Sequence, residues 1–326
     1  MRLRALLLTL ALVGMPPMSA HAQLFMPDPV QAMQMLLRYY HMAAQAGDPG
    51  AQARLGWIFE NGLGVGKDLA KAAEWYGKAA RQNDPVGLYN LGLMLMKGQG
   101  VSQNMEEAVT LMSGAAELNL AAAQAQLAAL YDQGLGVPRD PVVAAQWLQR
   151  AAELGDVPAQ NNLGIKFATG NGVAQDYAQA VKWFTQAAEA GNAEAQGNLG
   201  LIYRDGLGGI PRDYLAAANW LALAGSQGHV PSMARLAAMF EQGQGLPKNP
   251  MEAARWYHKA AQAGDRVAQY HLGVLYRDGK GVPENPHEAL RWLRKSADQG
   301  HAGAQEDLRR LVEQLAAQAR PASEVP

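Results

Sequence analysis

The segment from Ala51 to Ala80 reads AQARLGWIFENGLGVGKDLAKAAEWYGKAA, and its pattern returns to the end of the chain. Its Leu55-Gly56 pair recurs as leucine followed by glycine or alanine, every 36 residues with a single step of 37. The recurrences are Leu91-Gly92, Leu127-Ala128, Leu163-Gly164, Leu199-Gly200, Leu236-Ala237 and Leu272-Gly273. A fixed period of this length is typical of a stack of supersecondary structures. The sequence therefore predicts a solenoid.

A second repeat column fixes the register. Its members are Trp75, Leu111, Trp147, Trp183, Trp220, Trp256 and Trp292, and the inserted residue Gly209 accounts for the longer step. Burying an indole contributes roughly 4 to 6 kcal/mol at about 25 cal/mol per Å². We therefore expect this column in the core, in preference to a stack of ligand-binding aromatics.

Each repeat has the pattern of two helices. In the first, Ala51, Leu55 and Ile58 lie on one helical face, and Gly56 predicts the close approach of another backbone. A G-x-G turn follows, as in Gly62-Leu63-Gly64, where positive φ is expected. The second helix begins after an N-cap column of Asp68, Asn104, Asp140, Asp176, Asp213, Asn249 and Asn285.

These columns predict an all-α chain of helix-turn-helix repeats with capping half-repeats at both ends. The seven full repeats span about 49–84, 85–120, 121–156, 157–192, 193–229, 230–265 and 266–301, and the half-repeats span 30–48 and 302–319. Residues 23–29 are predicted to form an extended lead-in, and residues 320–326 a disordered tail.

The first 22 residues have the pattern of a signal peptide. Arg2 and Arg4 precede the apolar run Ala5–Met15, and the small residues before Gln23 predict cleavage near Ala22/Gln23. We therefore expect an exported protein, periplasmic or secreted. An uncleaved membrane anchor is the alternative, although a span needs about 20 apolar residues.

Charge and composition exclude several classes of protein. The chain has 28 Lys and Arg against 29 Asp and Glu, so it has no net positive charge to attract nucleic acid or an anionic membrane. It has no cysteine, which excludes thiol nucleophiles, disulfides and cysteine zinc sites. The sequence lacks the G-x-S-x-G, S-x-x-K and H-E-x-x-H motifs. We predict no catalytic, cofactor-binding or metal-binding residues.

The consensus A-x-x-x-L-G-x-x-Y/F-x-x-G-x-G-V-x-x-D, then A-x-x-W-x-x-x-A-A-x-x-G, resembles the Sel-one-like repeats, a branch of the tetratricopeptide-like solenoids. The resemblance covers about Val30 to Ala319. It implies a right-handed α/α superhelix whose first helices line a concave groove, and an adaptor that binds other proteins. Some cysteine-rich secreted relatives carry a disulfide in each repeat and have been credited with β-lactam hydrolysis. This chain lacks those cysteines.

Variable columns on the first helices are the candidate partner-binding positions. The position of Arg54 is polar in every repeat, and the position of Trp57, one helical turn along, is apolar in every repeat. The position of Tyr89 holds two tyrosines and an asparagine. From these columns we predict a partner-binding set of Arg54, Trp57, Tyr89, Asn90, Gln126, Asn161, Asn162, Asn198, Arg235, Tyr270 and His271. Amides can bond to the backbone of an extended peptide while apolar neighbours hold its side chains. The alternative is that the apolar column packs on the next repeat and the polar column is only solvated.

The predicted function is therefore an exported, non-enzymatic scaffold for protein or peptide partners, with no cofactor. A weak hydrolase acting on β-lactams or cell-wall peptides is the runner-up. A third hypothesis is glycan or peptidoglycan binding through Trp57, Tyr89 and Tyr270. The sequence does not identify the partner.

Overall fold

The computed structural model describes residues 28–318, which contain sixteen α-helices and no β-strand. Its contacts divide the chain after Asp156 into an amino-terminal body and a carboxy-terminal body. The predicted signal peptide, its cleavage point and the predicted tail lie outside the described residues. None of the described helices combines the length and apolarity that a bilayer crossing requires.

The amino-terminal body contains seven helices, and each packs against the next along the chain. They are α1 (Pro29–Gln45), α2 (Pro49–Asn61), α3 (Leu69–Ala80), α4 (Pro85–Lys97), α5 (Met105–Glu117), α6 (Ala121–Gln133) and α7 (Pro141–Glu153).

The carboxy-terminal body contains nine helices with the same sequential packing. They are α8 (Val157–Thr169), α9 (Tyr177–Glu189), α10 (Ala193–Asp205), α11 (Tyr214–Ser226), α12 (Val230–Gln242), α13 (Pro250–Gln262), α14 (Arg266–Asp278), α15 (Pro286–Asp298) and α16 (Ala302–Gln318). A short 3-10 turn, Leu207–Gly209, lies between α10 and α11.

The prediction of an all-α chain of helical hairpins is confirmed. We call the even-numbered helices from α2 to α16 the A helices and the odd-numbered helices the B helices. Each B helix from α3 to α15 begins at a predicted Asp or Asn whose side chain accepts a backbone N–H bond. The turns have the predicted positive φ, with Gly62 at 68° and Gly64 at 70°. Local sequence therefore determines where the hairpins begin and turn.

The glycine column inside the A helices has a different neighbour from the one we predicted. A Cβ built on Gly56 would lie 2.8 Å from a ring carbon of Tyr76, and one on Gly164 would lie 2.7 Å from the Phe184 ring. Backbone atoms come close only as a second contact, as at Gly200 with Ala217 O at 3.3 Å. Glycine therefore makes room mainly for the large side chain of the facing B helix.

Most of the tryptophan column packs against the core clusters, and only Trp183 and Trp292 are buried, at 7 % and 3 % exposed. Trp75 packs partly buried beside Leu55, and Lys78 Nζ lies 3.9 Å from the centre of its ring. The centre of each hairpin is the next column, which faces the column of five glycines and two alanines. That column is Tyr76, Met112, Leu148, Phe184, Leu221, Tyr257 and Leu293.

A column of glutamines that the sequence analysis missed connects the helices. Gln124 is 0 % exposed, and its Nε2 donates to Ala116 O at 2.9 Å. The same bond joins Gln52 to Ala44 O at 3.0 Å. Gln196 and Gln269 make the equivalent bonds to the alanine of the preceding B helix. These amides give a second hydrogen bond to carbonyls in the last turn of the B helices, which also accept a backbone N–H from the turn that follows, as from Asn119 to Ala116 O.

Candidate protein-binding surface

The predicted residues of the amino-terminal body lie on three successive A helices. Arg54 and Trp57 are on α2, Tyr89 and Asn90 on α4, and Gln126 on α6, and all five are partly exposed. Arg54 Cζ lies 5.8 Å from the centre of the Trp57 ring, which places its guanidinium beside the indole. We call the exposed parts of the A helices, in either body, the A-helix surface.

The amides of this surface differ from the buried glutamines in their hydrogen bonding. Neither Asn90 nor Gln126 forms a side-chain hydrogen bond with any residue in the described part of the chain. Gln124, two residues before Gln126, is buried and donates to a backbone carbonyl. Because two residues rotate about 200° around a helix, the two amides lie on opposite faces. One face of α6 is thus bonded internally, and the other presents a free amide.

In the carboxy-terminal body, Asn161 and Asn162 have separate environments on α8. Asn162 is exposed, whereas Asn161 is 2 % exposed and its Oδ1 accepts a bond from Asn198 Nδ2 at 3.3 Å. Asn161 therefore holds the side chain of Asn198 on α10 and does not itself offer a surface for contact. Its column also contains Ala53 and Gly197, which are buried, and these small residues could have indicated the burial.

Tyr270 and His271 on α14 belong to an aromatic cluster. The His271 ring stacks on Tyr257 with centres 4.8 Å apart, and Tyr270 stacks on His301 at 4.5 Å. His271 Nδ1 lies 3.6 Å from Glu241 Oε2, which also accepts the Tyr257 hydroxyl at 2.9 Å. Burial lowers the pKa of His271 despite Glu241, because it costs the charged form more than the carboxylate returns.

Arg235 on α12 lines an open cleft of about 400 Å³ in the carboxy-terminal body. Arg204, Asp205 and Arg212 line the same cleft. Arg204 binds Asp205 through two bonds, with Nε to Oδ1 at 2.7 Å and Nη2 to Oδ2 at 2.8 Å. Burial lowers the pKa of Arg235, and the nearby positive charge of Arg204 adds to this. Three arginines and one aspartate therefore line the cleft, which gives its lining an excess of positive charge.

The apolar column of the A helices both packs in the core and remains accessible to a partner. Trp57, Leu93 and Ile165 each pack against a core cluster and remain partly exposed. Part of each side chain therefore stabilises the stack and part is accessible beside the amides. Within the described residues, no group of three His, Asp or Glu side chains is arranged to hold a metal ion.

Together, 36-residue helical hairpins and a polar A-helix surface define a helical-repeat scaffold protein. Comparison with known families matches the Sel1 repeat at residues 37–48, 49–84, 85–120, 121–156, 157–192, 193–229, 230–265 and 266–301. The chain belongs to the Sel1 repeat family. The predicted resemblance is thus confirmed.

Two solved structures are similar over most of the chain. One is c5321, a protective antigen of uropathogenic Escherichia coli with an SLR fold, at 32 % identity, covering 86 % of this chain and 67 % of that one, with a TM-score of 0.64. The other is a Sel1 repeat protein from Oxalobacter formigenes, at 30 % identity, covering 88 % and 82 %, with a TM-score of 0.67. A search of curated proteins found no significant match.

Proposed function

We propose that this protein is an exported, non-enzymatic adaptor that binds protein or peptide partners along its A-helix surface. The observation that carries the proposal is the contrast between its two amide columns. The side-chain amides of the buried glutamines donate to backbone carbonyls. Those of Asn90 and Gln126 form no hydrogen bond with any described residue.

A free side-chain amide suits the backbone of an extended peptide. It offers donors and an acceptor in one plane, so it can pair with both the C=O and the N–H of a peptide unit. Asn90 and Gln126 occupy the same position in consecutive repeats, with Leu93 and Ala129 one turn along and partly exposed. Polar groups for the backbone of the guest and apolar groups for its side chains therefore alternate along the surface.

Affinity in this arrangement comes from several repeats acting together. A single hydrogen bond contributes about 0.5 to 1.5 kcal/mol, and micromolar binding needs about 8 kcal/mol. One amide is therefore insufficient, and a guest must contact several A helices at once. We infer that partners are extended segments, because a short contact would reach too few repeats.

Export and the absence of catalysis are parts of the same proposal. Export is supported by Arg2, Arg4 and the apolar run Ala5–Met15 that follows them. Membership of a repeat family supports a binding role, because the columns that recur through this chain serve folding and leave specificity to the columns that vary.

Site-specific photocrosslinking in the native cell tests the binding surface. A photoreactive amino acid at Asn90 or Gln126 should give the same crosslinked partner, because both positions contact one extended guest. The matched control is Gln149, an exposed glutamine on the B helix α7. If Gln149 captured the same partner equally well, or if the purified partner bound the Asn90→Ala/Gln126→Ala variant unchanged, the A-helix surface would be the wrong assignment.

Two further measurements test the other parts. Mass spectrometry of the protein recovered from the periplasm or medium should give an amino terminus near Gln23, and a cytoplasmic full-length product would contradict export.

A chromogenic β-lactam should not be turned over by the purified protein. Turnover that survives repurification and disappears on a point mutation would replace the adaptor proposal with the hydrolase.

A further inference from the structure

The A helices of the carboxy-terminal body pair residues across neighbouring repeats. Arg277 on α14 donates from Nη1 to Asp307 Oδ2 on α16 at 2.9 Å. One repeat earlier, the same two positions are Glu241 and His271, with Oε2 and Nδ1 3.6 Å apart. Each pair joins a carboxylate to a basic side chain 30 positions away in the sequence.

The equivalent pair one repeat further back consists of two arginines. Arg204 on α10 corresponds to Arg277, and Arg235 on α12 corresponds to Asp307, the extra residue Gly209 making this separation 31. Arg235 forms no hydrogen bond or ion pair with any residue that the structure describes, although burial lowers its pKa. Asp205 and Asp265 attract Arg235 from a distance without bonding to it, and burial still outweighs them. This partly buried cation therefore has no directly bonded counter-ion, which is unfavourable.

The cleft beside these arginines has room for a ligand and an excess of positive charge. Its volume of about 400 Å³ lies within the usual range for ligand sites. Asp205 neutralises one guanidinium by its two-bond contact with Arg204. Arg235 and Arg212 then remain as cations on the lining of the cleft.

Arg212 is held in place in a way that leaves its binding groups available. Its Nε donates to Asp205 O at 3.1 Å, which uses one donor and fixes the side chain. A bond of the same seven-residue span occurs in the amino-terminal body, from Arg139 Nε to Asp132 O at 2.9 Å. The two terminal amino groups of Arg212 have no hydrogen bond within the described residues and are free for an anion.

We propose that this cleft binds a carboxylate side chain of a peptide partner, between Arg235 and Arg212. The chain supplies an analogy, because Asp307 stands at the repeat position of Arg235 and its carboxylate bonds to Arg277, the equivalent of Arg204. A carboxylate from a guest would supply beside Arg235 and Arg212 the kind of negative charge that Asp307 supplies internally two repeats later. The inference rests on the proposed function and adds to it a preference for acidic segments.

Fluorescence anisotropy with two amidated, labelled peptides tests the inference. One peptide carries three consecutive glutamates in an alanine background, and the other carries three glutamines at the same places. The glutamate peptide should bind the full chain at least about tenfold more tightly. Arg235→Gln should remove that difference, whereas Arg255→Gln should keep it, because Arg255 is exposed on the B helix α13 and is paired with Glu252.

A second variant separates loss of binding from loss of folding. Arg235→Asp should recreate the Arg277–Asp307 pair with Arg204, so the melting temperature should rise while glutamate-peptide binding disappears. A lower melting temperature for this variant would contradict the equivalence of the two sites. Equal affinity for both peptides, or glutamate binding weaker than about 1 mM, would overturn the carboxylate assignment.

Two further outcomes are informative. One separates the acidic preference from the adaptor proposal, and the other separates a carboxylate ligand from a phosphate ligand. If both peptides bound equally and Asn90→Ala/Gln126→Ala weakened both, the adaptor surface would stand and the acidic preference would be wrong. Acetate should displace the glutamate peptide from the cleft at lower concentrations than inorganic phosphate does. The opposite order would identify a phosphate site and overturn the proposal.

Discussion

Gln82 donates from Nε2 to Oε1 of Gln52 at 2.8 Å, although the two residues are 30 positions apart. The same bond joins Gln227 to Gln196 and Gln299 to Gln269. In each pair the inner glutamine also donates to a carbonyl of the preceding B helix. One buried amide therefore connects its own A helix to the preceding B helix and to the residues that end the following B helix, and both of its ends are bonded.

The Oε1 atom of Gln124 does not accept a bond from a second glutamine. The first prediction concerns a substitution that would supply this hydrogen bond. This Oε1 is buried without a hydrogen bond in the described structure, and the residue at the partner position is Leu154, 51 % exposed. Leu154→Gln should bond to Oε1 and raise the free energy of unfolding by about 0.5 to 1.5 kcal/mol. Urea denaturation monitored by circular dichroism measures the change.

The repeat supplies the control for this change. Leu118 occupies the same position one repeat earlier and is 47 % exposed, but it faces Leu88, which has no amide. Leu118→Gln should therefore leave the stability unchanged. An equal gain from both substitutions would show that removing an exposed leucine, and not the new hydrogen bond, is responsible.

The second prediction concerns the glycine that faces Tyr76. Gly56→Val should destabilise the protein by about 1 to 3 kcal/mol, because its Cβ would lie 2.8 Å from the ring of a fully buried tyrosine. Gly66→Val is the control, since its Cβ meets nothing within 4 Å and its φ is not in the left-handed region. Equal melting temperatures for the two variants would contradict the packing argument.

The third prediction concerns the two buried tyrosine hydroxyls. Tyr76 donates to Glu60 Oε2 at 2.8 Å, and Tyr257 makes the same bond to Glu241. Tyr76→Phe should cost about 0.5 to 1.5 kcal/mol, with no change in packing, since Phe184 fills this position elsewhere. Tyr39→Phe should cost nothing because Tyr39 is exposed. Thermal melts of both variants compare them.

These tyrosines also make stability sensitive to alkali. Burial raises the pKa of Tyr76 and Tyr257 in the folded protein, and the neighbouring glutamates raise it further. Above about pH 10 the unfolded chain loses these protons while the folded chain keeps them. The free energy of unfolding should therefore fall with rising pH in this range, and less steeply in Tyr76→Phe.

The fourth prediction concerns mild acid. Burial lowers the pKa of His229 and of His271 below the ordinary value of 6.5. As the pH falls through that value, the unfolded chain takes up these protons before the folded chain does, so stability is lost. Denaturation at pH values between about 7 and 5 should show the decrease.

The histidine contribution can be isolated with one substitution. His271→Asn introduces an asparagine, the residue that other repeats have at the same position, as Asn90 and Asn162. The variant should lose less stability than the parent between neutral and acidic pH. A parallel pH dependence would assign the acid sensitivity to other groups, and His287→Asn, an exposed position, controls for the loss of any histidine.

Much of the fold follows from the sequence because its signals are local. The cap at Asp68 and the turn at Gly62-Leu63-Gly64 depend on residues within one hairpin, and a 36-residue spacing repeats them. The contact of Gly56 was predicted less well, since periodicity identifies a helix face without identifying the neighbour that packs on it.

The candidate surface was only partly predictable for a related reason. Gln124 and Gln126 are the same residue type two positions apart, yet one is buried and the other partly exposed. Asn161 and Asn162 differ in the same way. The charge pairs of α10, α12, α14 and α16 depend on which residues of adjacent repeats meet, which requires the three-dimensional structure.

The inserted residue in the loop after α10 has a practical consequence for protein engineering. In other repeats the N–H of the B-helix cap bonds nine residues back, as from Asp68 to Phe59 O at 2.9 Å. After the insertion, Asp213 bonds ten residues back to Tyr203 O at the same 2.9 Å, and Gly209 has open space around it. The register of every later helix is preserved, so this loop is a natural place to graft an epitope or a fluorophore.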